Sequence, residues 1–261
     1  MPIDVGGVHE PGEPHAPKSV VARALSLLDA FGPDDVELTL GDLCDRSGLP
    51  KTTVHRFVGE LVSWGALERG RYGVRLGFRL FALGERVTRC QRLRDLATPF
   101  LEELYEATRE TAHLAVLDNS EVVYLAKVRG HSSAPTANRV GGRLPTHCTG
   151  VGKALLGFSS PRFVEARLAA GLTRRTPHTI CTPGALQRDL RGVVERGFSV
   201  DREETRMGIV SVAAPIFGPD DTPIAAIAIA GRTHTIRIDQ IAVTVQTAAK
   251  RLSASMAGTI V

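Results

Sequence analysis

The spacing of apolar residues near the start of the chain predicts three short helices. Within residues 19–31, apolar side chains recur with the spacing of one helical face, at Val20, Ala24, Leu27, Leu28 and Phe31. Gly32 and Pro33 then end this first helix. The stretch TLGDLCDRSG predicts a second helix that stops at Gly48. A third begins with Pro50 as its first helical residue, where the missing N–H costs nothing, and runs to about Trp64.

A short hairpin is predicted directly after the third helix. The stretch LERGRYGVRL has the pattern of two short strands around a turn that contains glycine. Three helices with a tight turn between the last two, followed by a basic hairpin, form a winged helix-turn-helix. We therefore expect this domain over residues 18–77.

The rest of the chain predicts a linker and a second domain. Residues 78–94 are expected to form a linker helix, and a long helix then opens a domain over residues 95–261. After Thr111 the apolar period changes to that of strands, in TAHLAVL, EVVYLAKV, GFSVDREE, GIVSVAAPIF and PIAAIAIAG. Helical stretches intervene, and a final helix spans about residues 236–257. Sheet hairpins with flanking helices make this domain mixed α/β and the whole chain α+β.

The third helix has two chemically different sides. Val54, Phe57, Val58, Leu61 and Val62 fall on one apolar face. The outward residues are polar and lie at the start of the helix, the part that reaches base edges in a major groove: Lys51, Thr52, Thr53, His55 and Arg56. In the hairpin, Arg69 and Arg71 would contact the phosphate backbone. The competing interpretation is a solvent-exposed helix in the helical part of an unrelated protein.

Charge and composition narrow the class of protein. The net charge is only +4, but residues 69–94 hold eight arginines against one acid, Glu85. Such a run is either a solvated helix face or a surface that faces phosphates. No apolar stretch is long enough to span a membrane. Residues 1–17 predict a flexible tail without a signal peptide, and the scattered cysteines fit a reducing compartment, so we expect a cytoplasmic protein that has no membrane partner.

Two later strands show small residues on one side. Alternation places Ala226, Ala228 and Ala230 opposite Ile227 and Ile229, and it places Ser211 and Ala213 opposite the neighbouring valines. Small side chains on adjacent strands leave space beside the sheet. Either a cavity or a closely packed helix could occupy that space.

The sequence does not support three other kinds of chemical site. GVGKA is not a nucleotide-binding loop, because that motif needs glycine at His147 and a hydroxyl at Ala154, so Lys153 is expected to be a surface or structural ion-pair residue. His147 with Asp201, Glu203 and Glu204 lacks metal-ligand spacing, and a surface acidic cluster is the better interpretation. Cys148 and His147 would point to opposite faces of a strand. We therefore expect no catalytic residue, no metal and no cofactor.

Several stretches resemble one protein family. SVVARALSLLDAF and LTLGDLCDRSGLPKTTVHRFVGELVSWGALERG resemble the DNA-binding domain of IclR-type transcriptional regulators. GGRLPTHCTGVGKALL and GFSVDREETRMGIVSVAAPIF resemble two stretches of that family's ligand-binding domain. The resemblance implies a GAF-like effector domain, a homodimer or homotetramer, and a palindromic double-stranded DNA operator. It also implies control of a catabolic operon, commonly as a repressor, by a small organic or aromatic acid.

The resemblance favours the cavity as the explanation for the small-residue face. The expected effector-binding residues are Leu144, Gly150, Val151, Asp201, Ser211, Ala213, Ala228 and Ala230. The N–H groups of Gly150 and Val151 at a helix start suit a ligand carboxylate. Relatives can carry hydroxyls where this chain has Ala228 and Ala230, and the difference favours an apolar or aromatic effector. Two other functions stay open: a constitutive DNA-binding protein whose C-terminal domain only oligomerises, and an enzyme with an appended helical domain.

Overall fold

The computed structural model describes residues 19–131, 133–136 and 138–257. The chain divides into two compact units, and the boundary in the sequence falls between Gln91 and Arg92. The predicted tail, residues 1–17, lies outside the described residues. The first unit begins with three helices, α1 (Val20–Asp29), α2 (Leu40–Ser47) and α3 (Lys51–Trp64). Gly48 ends α2 in the left-handed region, with φ +67°, as a residue without Cβ can. Pro50 precedes α3 as its N-cap, so the prediction that it is the first helical residue was wrong by one position.

A two-stranded hairpin completes the first unit. Strands β1 (Leu67–Arg69) and β2 (Val74–Leu76) pair antiparallel, and Leu38 before α2 forms a β-bridge to Val74. One apolar core joins the three helices to the hairpin, with buried Leu27, Leu43, Val54, Phe57 and Leu67 among its members. The predicted winged helix-turn-helix is confirmed.

The predicted linker helix and the long helix after it are both present, but the break between them lies earlier than the predicted residue 94. A short helix, α4 (Phe78–Gly84), is followed by α5 (Thr88–Thr108), which continues past the unit boundary. Between them, the N–H groups of Arg86 and Val87 bond carbonyls three residues back, which is the tighter turn that commonly ends an α-helix. Gly84 at the end of α4 has a low helix propensity, which explains a break at this point.

The second unit contains a six-stranded antiparallel sheet in the order β5-β4-β3-β8-β7-β6. Its strands are β3 (Thr111–Asp118), β4 (Glu121–Val128), β5 (Arg143–Pro145), β6 (Ser199–Arg202), β7 (Ile209–Phe217) and β8 (Pro223–Arg232). The helices are α6 (Gly150–Gly157), α7 (Pro161–Ala169), α8 (Pro183–Arg196) and α9 (Ile238–Ala257). The α+β class is confirmed. Strand β5, which has only three residues, is too short to show the alternation that predicts a strand.

The two faces of this sheet are covered by different helices. On one face, Ile227 and Ile229 of β8 pack with apolar residues of α5 and α9. On the other, the small residues Ala213, Ala226 and Ala228 pack against α6. The predicted alternation is therefore correct. Part of the small-residue face is covered by a closely packed helix, and the neighbouring part borders a cavity.

Candidate functional site

The start of α3 presents a row of polar side chains to solvent. Lys51, Thr52, His55 and Arg56 are exposed and Thr53 is half-buried, whereas the opposite side of the helix is buried. Because 3.6 residues make one turn, the polar residues occupy one continuous strip over the first two turns. Lys51 and His55 also line a groove with Arg69 and Tyr72 of the hairpin. The structure thus brings the predicted helix residues beside the predicted wing.

The turn of the wing is held by a carboxylate that the sequence analysis missed. Both oxygens of Glu37 accept hydrogen bonds from the turn, from the N–H of Arg71 (3.2 Å) and the N–H of Tyr72 (2.9 Å). Arg71 and Arg69 are exposed, and the Arg71 guanidinium lies 5.1 Å from the centre of the Tyr72 ring. A Cβ on Gly70 would lie 2.0 Å from Glu37 Oε1, so this approach depends on glycine. Glu37 therefore sets the position of the wing backbone.

The first residues of α4 are attached to the end of α3. The Arg79 guanidinium donates to the Trp64 carbonyl (2.7 Å) and stacks 4.2 Å from the centre of the indole ring. Glu68 accepts from the N–H of Phe78 (3.2 Å). Within the first unit, α4 is thus tied to α3 and β1. Apolar side chains remain exposed on α4 and on α1: Phe78, Phe81, Val20, Val21 and Leu25.

The second unit contains a small cavity beside α6, with a volume of about 30 Å³. Six of the eight predicted effector-binding residues line it: Leu144, Gly150, Val151, Asp201, Ser211 and Ala230. The other two, Ala213 and Ala228, do not line the cavity, because α6 packs directly on them. The pattern of small residues identified the correct face, but it could not show how far along the strands the helix extends.

Eight further residues line the cavity and were not predicted: His113, Tyr124, Thr136, Asn138, Thr149, Thr205, Arg206 and Ile209. Three of them lie on strands and had a signal in the sequence. His113 alternates with Ala112 and Leu114, which face the α5 and α9 side, so strand periodicity places the histidine on the cavity side. Tyr124 of β4 and Ile209 of β7 can be placed in the same way, whereas the other five lie on turns and loops, where no periodicity exists.

The start of α6 approaches β7 closely. A Cβ on Gly150 would lie 2.9 Å from Ser211 Oγ, so a side chain at this position would fill the space beside Ser211. Thr149 caps the helix by accepting from the N–H of Gly152 (3.1 Å). The N–H groups of Gly150 and Val151 occupy the first two helical positions, which have no intrahelical partner.

Asp201 and Glu204 are buried, so the prediction that they form a surface acidic cluster was wrong. Asp201 Oδ1 accepts from the N–H of Glu204 (2.7 Å) and the N–H of Thr205 (3.3 Å). Burial nevertheless raises the pKa of Asp201 to about 6, because an apolar environment disfavours the charged form. The cavity therefore contains a carboxyl group with a pKa of about 6.

Lys153 is a structural ion-pair residue and not a surface one. Its side chain is 1% exposed, and its ammonium group contacts Asp189 Oδ2 (2.9 Å) and Glu204 Oε1. These pairs link α6 to α8 and to the turn after β6. Because each charge is buried or half-buried, each requires its partner.

His113 is the least satisfied polar side chain at the cavity. It is 1% exposed, and among the described residues neither ring nitrogen has a hydrogen-bond partner. Burial, assisted by the charge of Lys127, lowers the pKa of His113 to about 3, so the ring is neutral. Tyr124 contacts it edge-on, with 5.7 Å between ring centres.

The candidate nucleophile, Cys148, is not activated. It and His147 lie in a turn, not on a strand as predicted, and burial raises the pKa of Cys148 to about 12. The nitrogens of His147 instead contact the Thr173 carbonyl (3.0 Å) and the Arg167 guanidinium (3.1 Å). Within residues 19–131, 133–136 and 138–257, no group of three or more potential ligands could hold a metal ion, and no helix is long and apolar enough to cross a membrane.

Comparisons with known proteins match both units. The IclR helix-turn-helix domain profile matches residues 20–71, and the profile of the bacterial transcriptional regulator IclR C-terminal domain matches residues 85–254. The chain is 35% identical over 224 residues to the HTH-type transcriptional regulator XynR of Escherichia coli strain K12, covering 84% of this chain and 87% of that protein.

Two further proteins bear on the ligand. The p-hydroxybenzoate hydroxylase transcriptional activator of Acinetobacter baylyi is 29% identical over 231 residues, covering 85% of each chain. The crystal structure of an IclR homolog from Microbacterium hydrocarbonoxydans, complexed with 4-hydroxybenzoate, superposes with a TM-score of 0.86 at 32% identity, covering 92% of this chain and all of that one.

Proposed function

Because the chain belongs to the IclR family of bacterial transcriptional regulators, we propose that its first unit binds a palindromic double-stranded DNA operator through named side chains. The start of α3 enters the major groove and presents Lys51, Thr52, Thr53, His55 and Arg56 to the bases. Arg69 and Arg71 of the wing contact phosphates on either side and fix the register without reading sequence. The observation that carries this proposal is the continuous polar strip on α3 beside a basic, tethered wing.

We propose that the cavity in the second unit binds the effector, a small organic or aromatic acid. The N–H groups of Gly150 and Val151 would receive the carboxylate, as helix starts do for anions. Leu144 and Ala230 supply apolar walls, and Ser211 and Asp201 supply polar ones. Two relatives support an aromatic acid: one forms a complex with 4-hydroxybenzoate, and the other is the p-hydroxybenzoate hydroxylase transcriptional activator.

The size of the cavity supports a ligand-responsive protein. A volume of about 30 Å³ holds roughly one water molecule, so an aromatic acid fits only after the walls move apart. A ligand that binds one arrangement better than another shifts the population between them. The effector would thus change operator affinity through its preference for the widened arrangement, and a constitutive DNA-binding protein would lack this dependence.

We propose a homodimer or homotetramer that works in the cytoplasm without a catalytic residue or a cofactor. The exposed apolar residues of α1 and α4 support self-association of the first unit, since exposed phenylalanines that lie together commonly mark an interface. A two-fold dimer would present two copies of α3, which is what a palindromic operator requires.

The experiment has two parts. Fluorescence anisotropy with labelled duplexes from the region upstream of the gene should show one duplex bound more tightly than a shuffled duplex at the same salt concentration. Benzoate or 4-hydroxybenzoate should raise the melting temperature of the protein and change its affinity for that duplex.

The matched control for the DNA part is Arg162→Ala, which removes an exposed arginine of α7. It should leave operator affinity unchanged. Equal affinity for every duplex would contradict the proposed operator, and no response to any acid would favour the constitutive alternative.

A further inference from the structure

Given the proposed effector pocket, on which this inference rests, we propose that His113 determines effector specificity by exchanging hydrogen bonds with a hydroxyl group of the ligand. The preferred effectors are then hydroxylated acids, and an acid of the same shape without the hydroxyl binds more weakly. Hydroxyl recognition is a property of this side chain and is separate from the carboxylate contact proposed at the start of α6.

The imidazole of His113 is a buried group without a partner. The side chain is 1% exposed and lines the cavity, and both nitrogens lack a hydrogen-bond partner among the described residues. Most buried polar groups in folded proteins are paired, and leaving one unpaired is costly. An unpaired imidazole facing a cavity therefore indicates where a ligand is to bind.

Neither neighbouring strand supplies a hydrogen bond to His113. In the sheet register it lies opposite Ala228 of β8 and opposite Lys127 of β4, and neither side chain bonds the ring. Thr111, two residues earlier on the same face, lies opposite Ala230. The Thr111 hydroxyl is also fully buried and without a partner in the described region. Two unsatisfied polar side chains thus stand on one strand, and one of them, His113, lines the cavity together with Ala230.

The nearest charged group is already paired. Lys127, opposite His113 on β4, donates to Thr136 Oγ1 (2.8 Å) and to the Asn138 carbonyl (2.7 Å). Its ammonium group therefore has partners without a ligand, whereas the His113 ring has none.

The protonation state of the His113 ring determines which ligand groups can hydrogen-bond to it. A neutral imidazole has one N–H donor and one acceptor nitrogen. A carboxylate can only accept, so it could satisfy one of these nitrogens at most, whereas a hydroxyl can act as donor or acceptor toward either tautomer. A hydroxyl therefore suits this ring whichever nitrogen carries the proton.

The simplest competing occupant is a water molecule. The cavity has room for roughly one, and that water could bond the imidazole. An aromatic acid that displaces it without replacing its hydrogen bonds leaves the ring unpaired and loses affinity. A hydroxylated acid that restores the bond keeps its affinity, so the two ligands separate in a binding measurement.

The test is isothermal titration of the full-length protein with benzoate, 3-hydroxybenzoate and 4-hydroxybenzoate. The wild type should bind one of the hydroxybenzoates at least about tenfold more tightly than benzoate, as expected when a buried polar group would otherwise be unpaired. His113→Phe, which keeps a planar ring without donors or acceptors, should bind benzoate and both hydroxybenzoates with equal affinity.

Two variants control the comparison. His234→Phe makes the same replacement at an exposed histidine outside the cavity and should keep the preference for the hydroxybenzoate. His113→Gln retains a donor and an acceptor and should keep part of it, and it serves if His113→Phe does not fold. Circular dichroism checks the fold of each variant.

Equal affinity of the wild type for benzoate and the hydroxybenzoates, or a preference that persists in His113→Phe, overturns the inference while leaving the proposed pocket in place. Binding of none of these acids contradicts the proposed effector class and overturns the inference with it.

Discussion

The outward side chains of α3 can contact DNA in different ways. Arg56 has a planar group with several donors, and it lies 5.0 Å above the ring of Phe57, which limits its freedom before binding. Lys51 has a single charge at the end of a flexible chain. Arginine is therefore the better candidate for a base contact, since it can bond both acceptors of a guanine.

Replacing Arg56 with alanine should weaken operator binding by about 1–3 kcal/mol and relax the preference at one base position. The physical reason is the loss of a two-point contact with one base. Competition against duplexes substituted at each position measures the effect. Unchanged affinity with an unchanged preference would remove Arg56 from the base contacts.

Effector binding should depend on pH through Asp201. Its pKa is about 6, above its ordinary 3.8 because of burial, and ionisable groups around it include Lys153, Cys148, Glu204 and Arg206. As the pH falls through 6 the carboxyl becomes neutral and no longer repels an anionic ligand. Affinity for benzoate should therefore increase between about pH 7 and pH 5.

The raised pKa of Asp201 also makes the free energy of unfolding depend on pH. Because the folded pKa lies above the unfolded value, the folded state holds its proton longer, and the contribution of Asp201 to stability decreases as the pH rises from about 4 to about 6. Asp201→Asn should remove this dependence and also flatten the pH profile of ligand binding. Titrations at several pH values with both proteins make the comparison, and identical profiles would rule out Asp201 as the titrating group.

Lys153→Met should destabilise the second unit by about 3–5 kcal/mol, because it leaves buried Glu204 and its neighbour Asp189 without their cation. Urea unfolding followed by circular dichroism measures the change. Lys153→Met combined with Glu204→Gln should be less destabilised than Lys153→Met alone. If the double variant is the less stable of the two, the cost does not arise from the unpaired charge.

At the scale of elements, the hairpin and the helices of the first unit follow from local patterns. Apolar spacing, glycine stops and the turn residues specify α1 to α3 and the wing, because each signal acts over a few residues. The Glu37 contact was not predictable in this way, since its partners Arg71 and Tyr72 follow it in the chain at separations of 34 and 35 residues. A linker helix followed by a long helix is the predicted order, but the break was placed at residue 94 and lies at residues 85–87, because apolar spacing alone does not show where Gly84 interrupts a helix.

Glu37→Gln should loosen the wing, because an amide has one acceptor oxygen where the carboxylate has two. We expect weaker binding to every duplex by a similar factor, together with a smaller dependence of affinity on salt as Arg71 leaves the phosphates. Anisotropy at several salt concentrations measures both. Glu102→Gln on α5 is the matched control for the charge, and a loss confined to one sequence would contradict a role through the wing backbone.

The candidate pocket was only partly predictable from its elements. Alternation on β7 and β8 identified a small-residue face, and the start of α6 identified the amides of Gly150 and Val151. The residues on loops and turns, such as Thr136 and Arg206, come together only through the chain path in three dimensions. Alternation along β3 could have placed His113 on the cavity side, but only the packed structure shows that its ring has no hydrogen-bond partner.

At the scale of the whole molecule, self-association should depend on the exposed apolar residues of the first unit. Phe78 and Phe81 of α4 are 79% and 68% exposed, too much for side chains that serve only the unit's own core. If they meet a second copy, an aspartate there would be buried without a partner.

Phe81→Asp should therefore shift the protein toward smaller species in sedimentation velocity and weaken binding to the palindrome more than to a half-site. Val243→Asp on α9, where the valine is 65% exposed, is the matched control. Unchanged sedimentation of Phe81→Asp, with dissociation of Val243→Asp, would assign the interface to α9.

The small volume of the cavity beside α6 should also limit the rate of ligand binding. Because the cavity has room for about one water molecule, an aromatic acid can bind only after the cavity walls have moved apart. In rapid mixing, the rate at which the ligand signal develops should climb with ligand concentration and then reach a plateau, whose height is the widening rate itself. When the acid suddenly becomes available to a cell, the regulator would then respond no faster than the rate at which its cavity widens.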